Sequence, residues 1–586
     1  MKISFCFFFT FVGLCGILAF PQQDEDKKLV RFFDIFLDEE FKMRPLVATQ
    51  LGDHRFDSLL ENPSVKNRDL WKDFYKSALN KLVSQIKIEA LSTNGKVDFK
   101  VLQAHLERTI WLQENTQPYE NDPRTYSELI ADSLFLPLSQ STIAEERTVE
   151  NLIARTALVP KVLQSAKESV KNPPIVVLNT AIKQNLGSIR FYKQGIGDFV
   201  KNPELKKKLL LATSKVIPEL ESYQDFLQGV LKSGTNTDWR IGADKFNQKL
   251  VLELQAGISA DELLRLAEVE MAVVTQQMFV IAKKLWPTLF PNRVAYGEDA
   301  KGKNQTILDV LEKLSEKRGK PSDLLKDTRS TVKNIQSFIT AKNILTLPQP
   351  DRCQILEMPE FQRGNSVAYL NQAPPLDTNA SSVYAVSPPP SDWDVDTVNS
   401  FMKEYNNYML QILTIHEAYP GHYVQLEYSN KHPSKIRRVL SSGVFAEGWA
   451  VYTEKMMLDE GYGENDLGLR IHQLKWFLRA VANAILDHQM HCKQMTDEQA
   501  MDLLVNRAFQ NKGEALGKVI RSKQSACQLS TYFAGAVFFN KLRAETQKAK
   551  GSDFNLKLYH ESVLSHGTLP LNLLRDLVWD DLGLKK

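Results

Sequence analysis

Helical periodicity along most of the chain is the feature that most restricts how it can fold. Between about residues 27 and 345, apolar residues recur every three or four positions, as in DLWKDFYKSALNKLVSQI and SADELLRLAEVEMAVVTQQMFVIAKKLW. The same period returns at Asp394 and continues almost to the C-terminus. Because amphipathic helices bury their apolar faces against one another, this pattern predicts a mainly α fold.

The stretch over residues 347–395 has a different pattern. It is rich in proline and contains the short apolar runs SVAYL and SSVYAV, which are typical of strands. We therefore expect a small β-sheet of two to four strands, with loops, just before the helix that carries the candidate site. The chain then has a mostly helical half over residues 21–345, and a second half over residues 346–586 with the sheet, the site and the C-terminal helices.

The first twenty residues, MKISFCFFFTFVGLCGILAF, have the pattern of a secretory signal peptide (residues 1–20). A membrane anchor is the alternative, but the apolar run is short for a span and acidic residues follow it. No later segment has the apolar length needed to cross a bilayer. We therefore expect a mature chain without a transmembrane segment, exported to the extracellular space or to a lumenal compartment of the secretory pathway.

Composition adds a few further constraints. The net charge is only +3 over 586 residues, and no long basic run is interleaved with aromatic residues, so nothing indicates binding to nucleic acid. Cys353, Cys492 and Cys527 remain after signal-peptide removal, which allows one disulfide at most. Asn304 and Asn379 begin N-x-S/T sequons, as expected for a secreted glycoprotein.

The stretch TIHEAYPGHYVQ, residues 414–425, is close to the zinc-protease motif H-E-x-x-H. On a regular helix, however, His416 and His422 would lie about 120° out of alignment, because they are six residues apart. Pro420 lacks an N–H and opens the turn, and Gly421 allows conformations that other residues resist. We expect this pair to absorb the two extra residues as a bulge, so that both imidazoles face one metal ion.

Spacing alone does not identify the site, because HESVLSH, residues 560–566, has it too. That segment has no Pro or Gly between its histidines, and no glutamate follows Glu561. After the first segment, by contrast, Glu447 lies 25 residues beyond His422 on a new predicted helix. An antiparallel helix would return Glu447 to the histidines as a third zinc ligand, leaving the fourth position for water.

Glu454 lies two helical turns beyond Glu447, on the same face. It either hydrogen-bonds a metal ligand or is itself the third ligand. The alternative to a metal site is that the histidines are packing or surface residues and the glutamates a solvated helix face. Residue types and spacing leave both interpretations open.

HEAYPGHYVQ, followed by FAEGWAVYTEKM, resembles the family known as domain of unknown function 885, whose members look like relatives of the gluzincin metallopeptidases. The similarity continues in ILDHQMHCKQMTDEQAMDLL, CQLSTYFAGAVFFNKLR and YHESVLSHGTLPLNLLRDL. It covers most of the mature chain as one continuous domain, strongly after residue 360 and loosely before it.

This resemblance implies a mostly helical zinc peptidase. His416, His422 and Glu447 would hold the metal, and Glu417 would be the general base. The family has a Q-x-x-x-Y-x-x-G run, and its three fixed positions match Gln528, Tyr532 and Gly535.

The resemblance also brings in residues near the C-terminus. The ending H-x-x-x-L-x-x-G-x-L-P-L aligns His560, not His566. Tyr532 and His560 would donate hydrogen bonds to the oxyanion, with Tyr532 the better candidate; the alternatives are a buried aromatic residue and a helix-surface histidine. Asp487 and His491, four residues apart, also match the family and are expected to form a local pair that only packs the helix, with a catalytic pair as the alternative.

The expected function is therefore that of a secreted zinc-dependent peptidase acting on peptides. Glu417 would remove a proton from a zinc-polarised water and deliver it to the leaving amine. The strand-like SSVYAV would bind an extended peptide substrate by β-augmentation. Two alternatives remain, namely a zinc hydrolase of esters or other amides, and a secreted binding protein that keeps the fold without turnover.

Overall fold

The computed structural model describes residues 21–236, 238–358 and 368–585. Helices joined by short loops make up most of these residues, with three short strands between them, so the prediction of a mainly α fold with a small sheet is confirmed. The predicted signal peptide, residues 1–20, lies outside the described residues.

The helices before the sheet follow one another closely along the chain. In order they are α1 (Pro21–Met43), α2 (Pro45–Leu51), α3 (Val65–Gln85), α4 (Thr93–Asn115), α5 (Pro118–Asn121), α6 (Arg124–Gln140), α7 (Glu145–Thr156), α8 (Val159–Ser169), α9 (Ile175–Lys193), α10 (Pro203–Ser214), α11 (Ile217–Ser233), α12 (Gly242–Leu254), α13 (Ala260–Leu289), α14 (Ala300–Leu314) and α15 (Leu324–Ala341).

The helices after the sheet carry the candidate site. They are α16 (Val395–Glu404), α17 (Asn407–Glu417), α18 (His422–Asn430), α19 (Lys435–Val439), α20 (Gly443–Asp459), α21 (Leu467–Cys492), α22 (Asp497–Asp502), α23 (Lys512–Gln524), α24 (Ser530–Lys550), α25 (Leu556–Ser565) and α26 (Leu571–Asp581).

The sheet has three described strands, β1 (Cys353–Glu357), β2 (Ala368–Asn371) and β3 (Ser382–Val386), in the order β1-β3-β2. β3 pairs in parallel with β1 and antiparallel with β2. SSVYAV therefore forms the central strand, whose two edges are already hydrogen-bonded. The expectation that this segment adds a substrate strand is wrong, because β-augmentation needs an unpaired edge.

Four hydrophobic cores hold the described helices together, and the smallest lies between α20, α21 and α24. Two smaller ones lie among the first eleven helices, and one of these also takes in Ile436, Leu440 and Leu569. The largest core extends from Phe246 to Val578, so helices α12 to α15 pack with the helices that follow the sheet. The packing thus crosses the point at which the sequence pattern changes.

Helix α20 lies at the centre of the largest core. Apolar residues occupy all of its faces, which is the pattern of a helix surrounded by protein. Trp449 and Met457 are fully buried on it, and so is the carboxyl group of Glu454. A buried carboxylate needs a polar partner, and α20 faces the break between α17 and α18, which supplies one.

Two further properties bear on the sequence predictions. None of the described helices combines the length and the apolar character needed to span a bilayer. Cys353, Cys492 and Cys527 are all free thiols, so the single disulfide that the sequence allowed does not form among them.

Candidate metal centre and cleft

The motif residues lie where one helix ends and the next begins. Helix α17 starts at the cap Asn406, whose side chain accepts hydrogen bonds from Tyr408 and Met409, and it ends at Glu417. Helix α18 then starts at His422. We expected a bulge within one helix, but Pro420 and Gly421 belong to a break between two helices. The break turns the second histidine back toward the first.

Gly421 is needed for a different reason from the one expected. Its backbone is not in the left-handed region, with φ −70°. A Cβ built there would lie 1.9 Å from the carbonyl oxygen of His416 and 2.3 Å from that of Ile415, distances that real atoms do not adopt. Its N–H donates to Ile415 at 3.0 Å. The tight return of the chain therefore requires a residue without a side chain.

The break brings His416 and His422 together with Glu447 of helix α20. Oε2 of Glu447 lies 3.7 Å from Nε2 of His416 and 3.5 Å from Nε2 of His422. Ligands of a tetrahedral zinc ion, each about 2.1 Å from the metal, are about 3.4 Å from one another. Among the described residues, these three form the one group of potential ligands whose donor atoms all lie within 4.8 Å.

Trp449 fixes helix α20 to the break. Its indole Nε1 donates to the carbonyl oxygen of Pro420 at 2.9 Å. Because Trp449 lies two residues after Glu447 and is fully buried, this bond couples the position of the carboxylate to that of the Pro-Gly turn.

Glu454 contacts His416, a candidate ligand, on the side of the ring away from Glu447. Its Oε1 accepts a hydrogen bond from Nδ1 of His416 at 2.7 Å, which leaves Nε2 of that ring facing Glu447. A carboxylate on the far nitrogen of a metal-binding histidine fixes the ring and its tautomer. Of the two roles left open by the sequence, the geometry fits this supporting role.

The cluster is strongly coupled electrostatically. Burial alone would raise the pKa of Glu447, but the neighbouring His416 and His422 hold it well below its usual range. Burial raises the pKa of Glu454, and its hydrogen bond with His416 opposes that rise. Oε2 of Glu447 is buried and has no hydrogen-bond partner among the described residues. A buried carboxylate oxygen in that state is suited to a cation.

Glu417, the predicted base, lies at the end of α17 beside the sheet. Its Oε2 accepts a hydrogen bond from the backbone N–H of Leu370 at 3.2 Å. Leu370 belongs to β2, which is paired on one side only among the described strands. The predicted base therefore lies against strand β2.

Tyr532 reaches the cluster because α20 and α24 touch through glycines. A Cβ on Gly448 would lie 2.3 Å from Cα of Gly535, and one on Gly535 would lie 2.5 Å from Cα of Gly448. Glu447 adjoins the first glycine and Tyr532 precedes the second by one turn, and the two side chains interact. Burial and the Glu447 carboxylate raise the pKa of Tyr532, so its hydroxyl remains a donor.

His560 does not join the site, contrary to its predicted role beside the oxyanion. It is fully buried, its Nε2 is 2.8 Å from the hydroxyl of Tyr452, and its Nδ1 is 3.0 Å from the carbonyl oxygen of Ile344. Both ring nitrogens are thus occupied within the core. Burial lowers the pKa of His560 to about 3. The alternative of a helix-surface histidine is also wrong, because the ring is fully buried in the core.

The expected pair of Asp487 and His491 is also wrong. Asp487 accepts hydrogen bonds from Cys527 N–H at 3.0 Å and from the N–H and hydroxyl of Ser530, at the start of α24. Nε2 of His491 is 2.9 Å from the carbonyl oxygen of Ser522. Each side chain fixes a neighbouring helix instead of its helical neighbour.

A cleft with a volume of about 940 Å³ opens beside the cluster. His416, Glu417 and Tyr532 line it, as do residues that the sequence analysis did not select. Asn483 is one of these, since its amide oxygen is buried and has no hydrogen-bond partner among the described residues. No local pattern marks such a residue, because its role depends on the packing of α21 beside the cleft.

Helix α23 supplies a second set of cleft residues that we missed, Glu514, Gly517, Lys518 and Arg521. Their spacing of i, i+3, i+4 and i+7 places them on one helix face. This signal was present in the sequence, but nothing in it showed which way the face points.

Solved structures similar to this chain include two proteins from the genera Shewanella and Colwellia. One, described as a "putative lipoprotein of unknown function" from Shewanella oneidensis, is 30% identical, has a TM-score of 0.79, and is matched over 94% of this chain and 99% of its own. The other, a "putative lipoprotein" from Colwellia psychrerythraea, is 19% identical with a TM-score of 0.79, over 95% and 99%. At that identity, the second shows the fold alone.

The family comparison accounts for nearly all of the described residues. None of the curated proteins matches the chain. The model of the family described as "Bacterial protein of unknown function (DUF885)" matches residues 45–578, which include both helices of the break, helix α20 and the glycine contact with α24. The chain belongs to the DUF885 family.

Proposed function

We propose that the protein is a zinc-dependent peptidase of the gluzincin type, with His416, His422 and Glu447 as metal ligands. The observation that carries the proposal is the convergence of these three donors next to Glu417 at the wall of an open cleft. Two imidazoles and one carboxylate are a common ligand set of catalytic zinc, and they leave a position open for water or substrate.

The donor set fits zinc in its surroundings as well. Glu454 holds the far side of His416, and the unpartnered oxygen of Glu447 faces both Nε2 atoms. When bound, zinc supplies a Lewis acid that polarises the scissile carbonyl and lowers the pKa of water.

The chain's own groups supply the remaining chemistry. Glu417 accepts the proton of the attacking water and passes it to the leaving amine, a role that suits a half-buried carboxylate at the cleft wall. Tyr532 donates a hydrogen bond to the oxygen that becomes negatively charged in the transition state. A donor of this kind stabilises the transition state more than the substrate.

A peptide is the substrate that matches the polar groups of the cleft. Ala368 of β2 lines the cleft and Leu370 ties this strand to Glu417, so an extended chain can lie beside β2. The amide oxygen of Asn483 can accept a hydrogen bond from a substrate N–H, since its amide lines the cleft and that oxygen has no partner. Both features serve a substrate with its own backbone donors and acceptors.

Export fits the same proposal. The first twenty residues have the pattern of a signal peptide, and both similar structures are described as lipoproteins. Asn379, one of the two predicted glycosylation positions, is exposed, whereas the side chain of Asn304 is half-buried and donates to Asn506.

Digestion of mixed peptides by the purified protein tests the proposal. The protein should contain about one zinc per chain, lose activity on chelation and regain it with added zinc. Cleavage is followed by mass spectrometry, with a panel of esters and non-peptide amides in parallel.

Each outcome separates the proposed function from its alternatives. Hydrolysis limited to the esters or non-peptide amides would replace the peptidase by another zinc hydrolase. Stoichiometric zinc without hydrolysis of any compound would favour a binding protein. Peptide cleavage that survives complete removal of metal would contradict the proposed chemistry.

A further inference from the structure

Helix α23 forms a wall of the cleft that the proposed chemistry does not use. Glu514, Gly517, Lys518 and Arg521 face the cleft from it. Gly517 keeps this face open beside Lys518, since a Cβ at Gly517 would meet no atom within 4 Å. Space for a ligand group therefore adjoins Lys518 on the helix face that lines the cleft.

Some cations near this wall already have carboxylate partners. Arg479 contacts Glu514 at 2.7 Å, and Lys475 contacts Glu404 at 2.8 Å. The hydroxyl of Tyr405 also donates to Glu514 at 2.6 Å, so this carboxylate is fully engaged.

Lys518 and Arg521 are different. Neither has an ion pair within 4.0 Å among the described residues, and Arg521 donates instead to the neutral amide oxygen of Gln528 at 2.8 Å. The other acidic residues of the cleft wall, Asp396 and Glu417, lie on α16 and α17. The wall thus presents two basic side chains that make no ion-pair contact with a carboxylate among the described residues.

The charges around Lys518 also favour the binding of an anion there. Burial, followed by repulsion from Arg479 and Arg521, lowers the pKa of Lys518 to about 7. The carboxylates of Glu514 and Glu447 oppose this effect only in part. A bound anion would restore the usual protonated state of this lysine.

These cations lie close to the candidate metal centre. The hydroxyl of Tyr532 interacts with Glu447 on one side and with Arg521 on the other. An extended peptide covers about 3.3 to 3.6 Å per residue. One or two residues therefore reach from Glu447, past Tyr532, to Arg521.

We propose that Lys518, with Arg521 beside it, binds the C-terminal carboxylate of the peptide, so that the enzyme releases one or two residues from C-terminal ends. The inference rests on the peptidase function proposed above. In the reaction the peptide C–N bond breaks, water gives its hydroxyl to the acyl carbon, and the amine leaves with the proton that Glu417 carried. The released piece keeps the carboxylate that Lys518 holds.

The experiment compares three N-acetylated peptides of one sequence that ends in Gln. The first has a free C-terminal carboxylate, the second a C-terminal amide, and the third an amide with the last residue changed to Glu. Hydrolysis by the zinc-loaded protein is measured as kcat/KM, and mass spectrometry locates the cut. Binding of the same peptides to zinc-loaded Glu417→Gln is measured separately, so that recognition is tested without turnover.

The free acid should exceed the amide by about 10- to 100-fold in kcat/KM and in affinity, as expected for a charge-assisted hydrogen bond. Lys518→Met should remove most of this preference, and Lys518→Arg should keep it. Lys548→Met removes an exposed charge on α24 and should change nothing.

Equal use of the acid and the amide would overturn the inference while leaving the peptidase function intact. If the amide ending in Glu is used as well as the free acid, the carboxylate comes from a side chain and the C-terminal assignment is wrong. Acid-selective binding without any hydrolysis would support carboxylate recognition and contradict the peptidase function.

Discussion

Two segments of this chain share the spacing H-E-x-x-x-x-H, and they fold in opposite ways. In His416–His422 the helix breaks, and the second histidine returns to the first and to Glu447. In His560–His566 helix α25 continues to Ser565. His560 then points into the core toward Tyr452, while His566 contacts Asp581 at 2.9 Å.

The difference shows that spacing does not make a metal site. Histidines six apart on a continuous helix lie about 120° out of alignment, which is how α25 separates its two rings. A shared ion requires the helix to break and a third donor to lie opposite. Only the first segment has the glycine that permits the break and the carboxylate of α20 that faces it.

Replacing the second histidine of each segment should give the largest contrast. His422→Ala removes a metal ligand and should reduce zinc from about one per chain to near zero, with loss of hydrolysis. His566→Ala loses a surface contact with Asp581 and should keep both. Elemental analysis and a peptide assay check the pair, and retention of zinc by His422→Ala would contradict the proposed ligand set.

Tyr532, which lines the cleft, and Tyr452, which is buried in the core, provide the next contrast. Tyr532→Phe removes the donor beside Glu447 and should lower kcat by about 100- to 1,000-fold, with little change in KM. Tyr452→Phe removes the hydroxyl that contacts His560 and should lower the free energy of unfolding by about 1 kcal/mol while activity remains. Steady-state kinetics and denaturant titration distinguish them. Normal kcat in Tyr532→Phe would exclude the oxyanion role.

A methyl group at the helix break tests the geometry. Gly421→Ala places a Cβ against the carbonyl oxygen of His416, so the chain must shift near Glu417. Displacements of about 1 Å in such sites cost about 100-fold in rate. The matched change, Ser565→Ala on α25, affects an exposed residue and should have little effect.

A deletion of both Pro420 and Gly421 should not create a working H-E-x-x-H site. Normal turnover in either the substituted or the deleted protein would show that the break is dispensable.

The smallest expected effect concerns Glu454. Glu454→Gln removes the charge behind His416 and should weaken zinc binding by about 10- to 100-fold, without removing the site. Competition with a chromogenic chelator measures the affinity. A complete loss of zinc would instead favour Glu454 as a direct ligand.

The sequence was sufficient for the features that depend on local pattern. Helical periodicity predicted the mainly α fold, and proline-rich flanks predicted a small sheet before the site. The distance from His422 to Glu447, with a helix start between them, predicted that the three side chains meet. The resemblance to a known family selected Tyr532.

What the sequence could not predict depends on packing between distant elements. The burial of His560 against Tyr452 has no local signal, and neither does the contact between Leu370 and Glu417. The role of Gly421 was misjudged because the limiting factor is a neighbouring carbonyl rather than its own φ. Gly535 was part of a family motif, but its function as a contact with Gly448 required the structure.

Each H-E-x-x-x-x-H segment has a glutamate directly after its first histidine, Glu417 in one and Glu561 in the other. Comparing these two glutamates tests the central claim most directly. Peptide hydrolysis is measured for Glu417→Gln and Glu561→Gln, each with its zinc content determined on the same sample. Glu417→Gln should bind zinc normally and lose hydrolysis by at least about 100-fold, because the proton acceptor is gone. Glu561→Gln should retain both, because its carboxylate accepts from the N–H of Thr346 and pairs with Lys557, away from the candidate metal centre. Full activity in zinc-loaded Glu417→Gln would contradict the proposed role of this residue.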